Sequence, residues 1–338
     1  MSDRAQQPGP PFAADDAQDR GPRVVALGGG HGLSTLLRGL KDQHCDITAI
    51  VTVADDGGSS GVLRRETGIL PPGDLRRCIA ALAEAEPLMT QLFEYRFGHG
   101  AGLDGHAFGN LFIAAMAGIM GDFERGVSEV SRVLAVKGRV LPSSLDHLVL
   151  CAEVCVPDDQ GGRILVKGQS QIAGVHGLVE RVYLQPSEPK GYPLAISALL
   201  NADLIVLGPG SLYTSIIPNL LVPDILAALC AAEARKVYIC NVATQPGETA
   251  DYTVGDHVRA LAEHMGGGAC DCVLANGNTD LTLSPTSNSA MVMPTLEGAP
   301  AFDGDAWQLV VQDLVDRALP WRHDAAKLAS TVLRLCPR

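Results

Sequence analysis

The chain has 338 residues, 46% of them hydrophobic and 19% charged, with a formal net charge of −12. That length can bury a large α/β core, and the acidic balance excludes a long nucleic-acid footprint, which needs a basic stripe to neutralise phosphates. No apolar run is long enough to span a bilayer, and residues 1–22 are polar and lack the apolar centre of a signal peptide, so the chain reads as a cytoplasmic protein with a disordered tail over 1–22 and one domain over 23–338.

"RVVALGG" (23–29) reads as a strand running into glycine, and "LSTLLRGLKDQ" (33–43) as a helix with apolar residues at helical spacing. "DITAIVTVADD" (46–56) is nearly all apolar, as expected of a parallel strand covered on both faces. Helices are expected over 73–85, with Asp74 as N-cap, over 108–123 and over 126–138. Residues 144–159, 161–174 and 177–189 are strand-like runs between Gly, Pro and Asp clusters, an inserted antiparallel strand-rich excursion at about 144–189. Alternation then resumes with helices at 193–202, 219–232 and 253–265 and strands at 203–211, 235–243 and 270–276. The pattern predicts an α/β fold, a Rossmann-like, doubly wound, mostly parallel sheet, whose ligands bind at the carboxyl ends of strands. The nine cysteines lie mostly in apolar segments, and "CDC" (270–272) has no further His or Cys cluster beside it. Buried free thiols are expected rather than a zinc site.

The strand ends carry the chemistry. Gly28, Gly29, Gly30, His31 and Gly32 precede Leu33 and Ser34 at a helix start. Such a turn either cradles a phosphate against helix N–H groups or is only a tight strand-to-helix connection. Leu33 replaces the third glycine of a dinucleotide fingerprint, and no Lys completes a Walker A loop. Asp55 and Asp56 follow the next strand, placed either to bind a ribose or to hold Mg²⁺ beside a phosphate. Gly57 to Gly61 reads as a loop that closes over a ligand. Gly73 and Asp74 open the helix carrying Arg76 and Arg77, and with Arg64 and Arg65 these cations bracket that loop. His106 and Asn110 precede an apolar helix and either face the site or serve its packing and capping. Gly208, Gly210, Ser211, Tyr213 and Thr214 form a second glycine turn with hydroxyls. Asn241, Thr244, Gln245 and Glu248 follow another strand and suit neutral contacts to a base or sugar.

Together, "ALGGGHGLSTLLRGLK", "TAIVTVADDGGSSGVLRRETGILPPGDLRRC", "LGPGSLYTSIIPNLL" and "QPGETADYT" resemble the YvcK family of bacterial gluconeogenesis factors, which belongs with the CofD 2-phospho-L-lactate transferases. The resemblance spans about residues 23–265. It implies a cytoplasmic regulator of cell shape and wall synthesis during gluconeogenic growth, binding a nucleotide sugar of the UDP-N-acetylglucosamine type. It brings no established reaction and no catalytic residue. The CofD alternative implies a Mg²⁺-dependent transfer of a phospholactyl group from a guanosine diphosphate carrier to a deazaflavin alcohol. Its loop reads GGxGGAKL, whereas this chain has "GGGHGLSTL", without the Ala-Lys. The family's late Arg matches Arg322 in "WRHDAAKLAS", but no Tyr follows Tyr252 to match the family's aromatic contact. Partners are expected to be the nucleotide sugar, with no nucleic acid and no membrane span, and room is left for a homo-oligomer.

Overall fold

The computed structural model describes residues 21–100, 102–156, 162–175, 177–265, 270–281, 283, 289–300 and 307–337. Residues 1–20 of the expected tail and 157–161 and 176 of the expected excursion lie outside the described residues. In chain order the first elements are β1 (Arg23–Gly28), α1 (Gly30–Lys41), β2 (Asp46–Val51), α2 (Gly58–Thr67), α3 (Gly73–Leu82) and α4 (Pro87–Glu94). Next come α5 (Phe108–Met120), α6 (Phe123–Val133), β3 (Arg139–Pro142), β4 (Val149–Cys155), β5 (Arg163–Lys167), α7 (Gln169–Ile172) and β6 (Leu178–Gln185). Then follow α8 (Pro193–Leu200), β7 (Leu204–Leu207), a π-helical turn (Leu212–Ile216), α9 (Ile217–Leu220), α10 (Pro223–Ala231) and β8 (Arg235–Ile239). The chain ends with α11 (Val254–Met265), β9 (Cys272–Asn276), β10 (Gln308–Gln312) and α12 (Ala325–Arg334).

Among the described residues, seven strands form one parallel sheet in the order β10-β9-β8-β7-β1-β2-β3. A separate antiparallel sheet has the order β5-β4-β6. The α/β class, the parallel sheet and the antiparallel excursion are therefore as the sequence predicts. Central strands are apolar throughout because helices cover both faces; Val24 to Leu27 and Leu204 to Leu207 are all buried. α1 buries Leu33, Leu36, Leu37 and Leu40, a helical stripe that packs against α3 and α12.

Several expectations change. The Gly57–Gly61 run is not a loop over a ligand but the start of α2, with Ser59, Ser60 and Gly61 buried. Glycine and serine are weak helix formers, yet a first helical turn needs few intrahelical bonds, and tertiary packing here overrides propensity. Asp74 is not an N-cap: Pro72 occupies that position, and Asp74 lies inside the first turn. The expected helix 219–232 is broken at Val222, where Pro223 starts α10. The edge strands β3 and β10 and the short helix α4 carry too little period to stand out in the sequence. Among the described residues no single helix is long and apolar enough to cross a membrane.

β1 leads to β2 on one side, whereas β7 leads to β8 and β9 on the other. The sheet thus divides between β1 and β7, the place where a doubly wound sheet opens a crevice at its carboxyl edge. The position of α1, which starts at that crevice, depends on α12. A Cβ on Gly39 would overlap the Ala325 carbonyl and stand 2.8 Å from Ala329 Cβ. Gly39→Ala is therefore expected to lower stability by about 1–3 kcal/mol through overpacking, despite alanine's better helix propensity, read as a drop in the thermal midpoint. An unchanged or raised midpoint would mean that α12 can retreat freely.

Candidate functional site

A cleft of about 1010 Å³ opens at that division. Three helices begin on it. α1 starts after Gly29, α2 after Gly57 and α3 after Pro72, and none of these caps supplies a side-chain bond to the helix. Apart from the Gly30 amide, which faces Asp74, their first N–H groups and partial positive charge are left for an anion. Gly29 has no room for a side chain, since a Cβ there would stand 2.5 Å from Asp74 Oδ2.

Arg76, Arg77, Arg96 and Arg322 line the same cleft. Arg76 is buried, and its Nε has no hydrogen-bond partner among the described residues. Burial, reinforced by Arg77 and Arg96, pulls its guanidinium down to about 10, so it stays charged at neutral pH. Arg77 donates to Asp74 Oδ1 at 2.6 Å. Asp74 is buried and its carboxyl is pushed up to about 6, chiefly by burial; Arg77 opposes the shift and Asp55 adds to it. The Gly30 amide eases that charge, but no well-formed hydrogen bond completes Asp74 Oδ2. His31 reaches solvent at the cleft wall, yet desolvation and the surrounding arginines, Arg77 first, hold it down to about 4, so it is neutral at pH 7.

The adjacent carboxylates diverge. Asp55 lines the cleft and accepts the Gly57 amide at 2.9 Å. Asp56 does not line it; it accepts the Ser170 amide at 2.8 Å and holds the start of α7. The expected Mg²⁺ pair therefore does not face one point. Among the described residues no group of three or more His, Cys, Asp or Glu side chains is placed to hold a metal. A Mg²⁺ ion here would rest on Asp55 together with oxygens of a bound phosphate.

His106 is buried behind the wall rather than on it. Its Nδ1 lies 3.0 Å from Ser59 Oγ, which also receives Asn110 Nδ2 at 3.0 Å. Ser59 and Asn110 line the cleft, so His106 acts on it through Ser59. Asn110 is thus no helix cap, and its Oδ1 has no partner among the described residues.

On the β7 and β8 side, Gly210, Ser211, Thr214, Asn241, Thr244 and Glu248 line the cleft. Glu248 is buried and accepts Thr214 Oγ1 at 2.7 Å and the Tyr213 amide at 3.3 Å, which fixes the π-helical turn. Tyr213 lies behind the wall, its hydroxyl 2.9 Å from that of Tyr252. Gly28, Leu33, Ser34 and Gly208 also sit behind the surface. Leu33 is core, and Ser34 donates back to the His31 carbonyl at 2.9 Å. Of the remaining expected residues, Gly29 to Gly32, Asp55, Gly73, Asp74, Arg76 and Arg322 all reach the cleft. Arg64 and Arg65 do not, being carried away along α2.

Sequence reasoning missed Gln169 and Ser170, which the excursion brings to the cleft, and Arg96, Trp321 and His323. Gln169 donates to the Thr214 carbonyl at 2.9 Å. His323 is buried and held down to about 4 by desolvation. The signal for Trp321 and His323 was their adjacency to Arg322; Gln169 had no local signal.

A family model described as 2-phospho-L-lactate transferase CofD matches residues 24–297. The gluconeogenesis factor of Bacillus subtilis is 54% identical over 322 residues, 93% of this chain and 98% of that one. That of Halalkalibacterium halodurans is 46% identical over 93% of this chain and 97% of its own. That of Listeria monocytogenes is 40% identical over 94% and 96%. A crystal structure of a UPF0052-family protein from Bacillus halodurans superposes with a TM-score of 0.83 at 45% identity, covering 92% of this chain and 99% of that one.

The Asp74 carboxyl generates a pH signature. Its folded value of about 6 lies above the ordinary value of 3.8, so folding favours the protonated form. Its contribution is full below about 4 and is lost as pH rises to about 6 and beyond. Asp74→Asn should remove that fall, so the difference between wild-type and variant thermal midpoints should shift steadily in favour of the variant from about pH 4 to about pH 6. A flat difference curve would show that Asp74 is charged throughout.

Proposed function

This chain belongs to the CofD family, among its gluconeogenesis factors, and from that membership and the cleft we propose that it binds a nucleotide sugar of the UDP-N-acetylglucosamine type and regulates cell shape and wall synthesis during gluconeogenic growth, without turning its ligand over. The observation that carries the binding reading is Arg76, a buried guanidinium with an unpartnered Nε beside three uncapped helix starts. Glu94 and Asp74 offset its charge only in part against burial and the neighbouring arginines, and a diphosphate supplies further counter-charge and an acceptor for Nε. The diphosphate would lie over Gly29 to Gly32 and the starts of α1, α2 and α3, with Arg76, Arg77 and Arg322 around it. Asn241 and Thr244 would meet the neutral part of the ligand. The free state of all nine cysteines suits a reducing cytoplasm.

A second reading, Mg²⁺-dependent phosphoryl-group transfer of the CofD type, is favoured by Asp55, which faces the cleft close to Asp74. Two features favour the regulator over it. The loop lacks the transferase Ala-Lys, and Asp56, unlike Asp55, does not line the cleft.

Calorimetry with UDP-N-acetylglucosamine, GDP plus Mg²⁺ and NAD at matched concentration separates the readings. UDP-N-acetylglucosamine is expected to bind best, and binding by GDP plus Mg²⁺ alone would remove the regulator reading. Arg322→Ala should weaken UDP-N-acetylglucosamine binding roughly ten- to a hundredfold, the loss of one charge-assisted contact of about 1.5–3 kcal/mol. An unchanged affinity would take Arg322 out of the site.

A further inference from the structure

Resting on the nucleotide reading above, we propose that Trp321 is the stacking platform of a nucleobase subsite. Among the described residues lining the cleft, Trp321 is the one Phe, Tyr or Trp side chain. It is 47% exposed, whereas the chain's other tryptophan, Trp307, is 8% exposed. An exposed indole on the cleft wall offers a flat apolar face, and bases stack on such faces.

The platform is held in place. The chain turns between Asp316 and Arg322, with Asp316 N–H donating to the Arg322 carbonyl at 2.9 Å and Arg322 N–H to the Leu319 carbonyl at 2.8 Å. Val315 and His323 bridge the base of that turn. His323 is buried against the Cys240 backbone, next to Asn241, so the turn is anchored at the end of β8.

Polar side chains at the end of β8 also line the cleft. Asn241 Nδ2 donates to Gln245 Oε1 at 3.1 Å, and Gln245 Nε2 donates to Ser211 Oγ at 2.9 Å. One Asn241 N–H is used in this relay, which leaves its second N–H and its Oδ1 for a ligand. Thr244 Oγ1 accepts the Ala290 amide at 2.9 Å, which leaves its own proton to donate. Donors beside acceptors suit the polar edge of a base, and all four common bases present such an edge.

Tryptophan emission of the full chain, titrated with UMP, GMP, AMP, CMP, pyrophosphate and N-acetylglucosamine 1-phosphate, tests the assignment alongside calorimetry with UDP-N-acetylglucosamine. The nucleotides, UMP among them, should quench the emission, and pyrophosphate and the sugar phosphate should not. Trp321→Ala should abolish the quench and weaken UDP-N-acetylglucosamine about tenfold or more, the loss of one stacked base, while leaving pyrophosphate affinity unchanged. Trp321→Phe should keep most of the affinity and report the background of Trp307. Quenching by the sugar phosphate but not by UMP would overturn the proposal. So would a Trp321→Ala protein that binds UDP-N-acetylglucosamine like wild type, in which case the nucleotide-sugar reading stands alone. Failure of wild type to bind any of the nucleotides removes both.

Discussion

Two glycine turns meet where the sheet divides, and the site depends on that contact. The Gly208 amide donates to the Leu27 carbonyl at 2.8 Å, and a Cβ on Gly32 would stand 2.5 Å from the Pro209 carbonyl oxygen. Chain leaving β1 runs to one side and chain leaving β7 to the other, so the touching backbones form the floor of a crevice rather than a closed layer. α1 then starts on that floor, and α2 and α3 are brought to the same point because β2 pairs with β1 along its whole length.

The electrostatics of the crevice are local. The molecule carries a net charge of −12, yet four arginines line the cleft. At physiological salt, exposed charges farther away than about 8 Å are largely screened, so an approaching anion meets the arginines and helix starts rather than the acidic total. Ion pairs elsewhere, such as Arg132 with Glu129 and Arg163 with Glu180, are solvent-exposed and contribute little to stability. Arg76 differs in being buried, with an Nε that nothing among the described residues satisfies.

What the sequence made legible follows from period and punctuation. Val24 to Leu27, Ile47 to Val51 and Leu204 to Leu207 announce buried parallel strands, and the glycines after the first and last of them announce the crevice. Residues whose role is local, such as Gly29, Asp55 and Arg76, could be placed from the sequence because each follows a strand or opens a helix. Residues brought in by tertiary contact could not. Gln169 reaches the cleft because Asp56, more than a hundred positions earlier, holds the Ser170 amide, and no periodicity encodes that pairing. The Gly57–Gly61 run misled for the opposite reason: its propensity says loop, while Ser59, held by His106 and Asn110, makes it a helix start.

Whether the proposed nucleotide is held or transformed turns on how the two carboxylates after β2 are used. Both could in principle face a metal beside a phosphate, the arrangement that neutralises a leaving diphosphate. Here Asp55 turns to the crevice and Asp56 to the Ser170 amide, which ties the three-stranded sheet to the wall. That bond uses one carboxylate oxygen, and the other packs against Gly168, so Asp56 is turned away from the cleft lining. The contact that completes the wall thus leaves Asp55 alone among the adjacent carboxylates to face the arginines and helix starts that would hold a phosphate under the regulator reading. A ligand that binds only the folded state also raises its stability, by about 2.7 kcal/mol at a hundred times its dissociation constant, so occupancy of this cleft is felt through the whole parallel sheet.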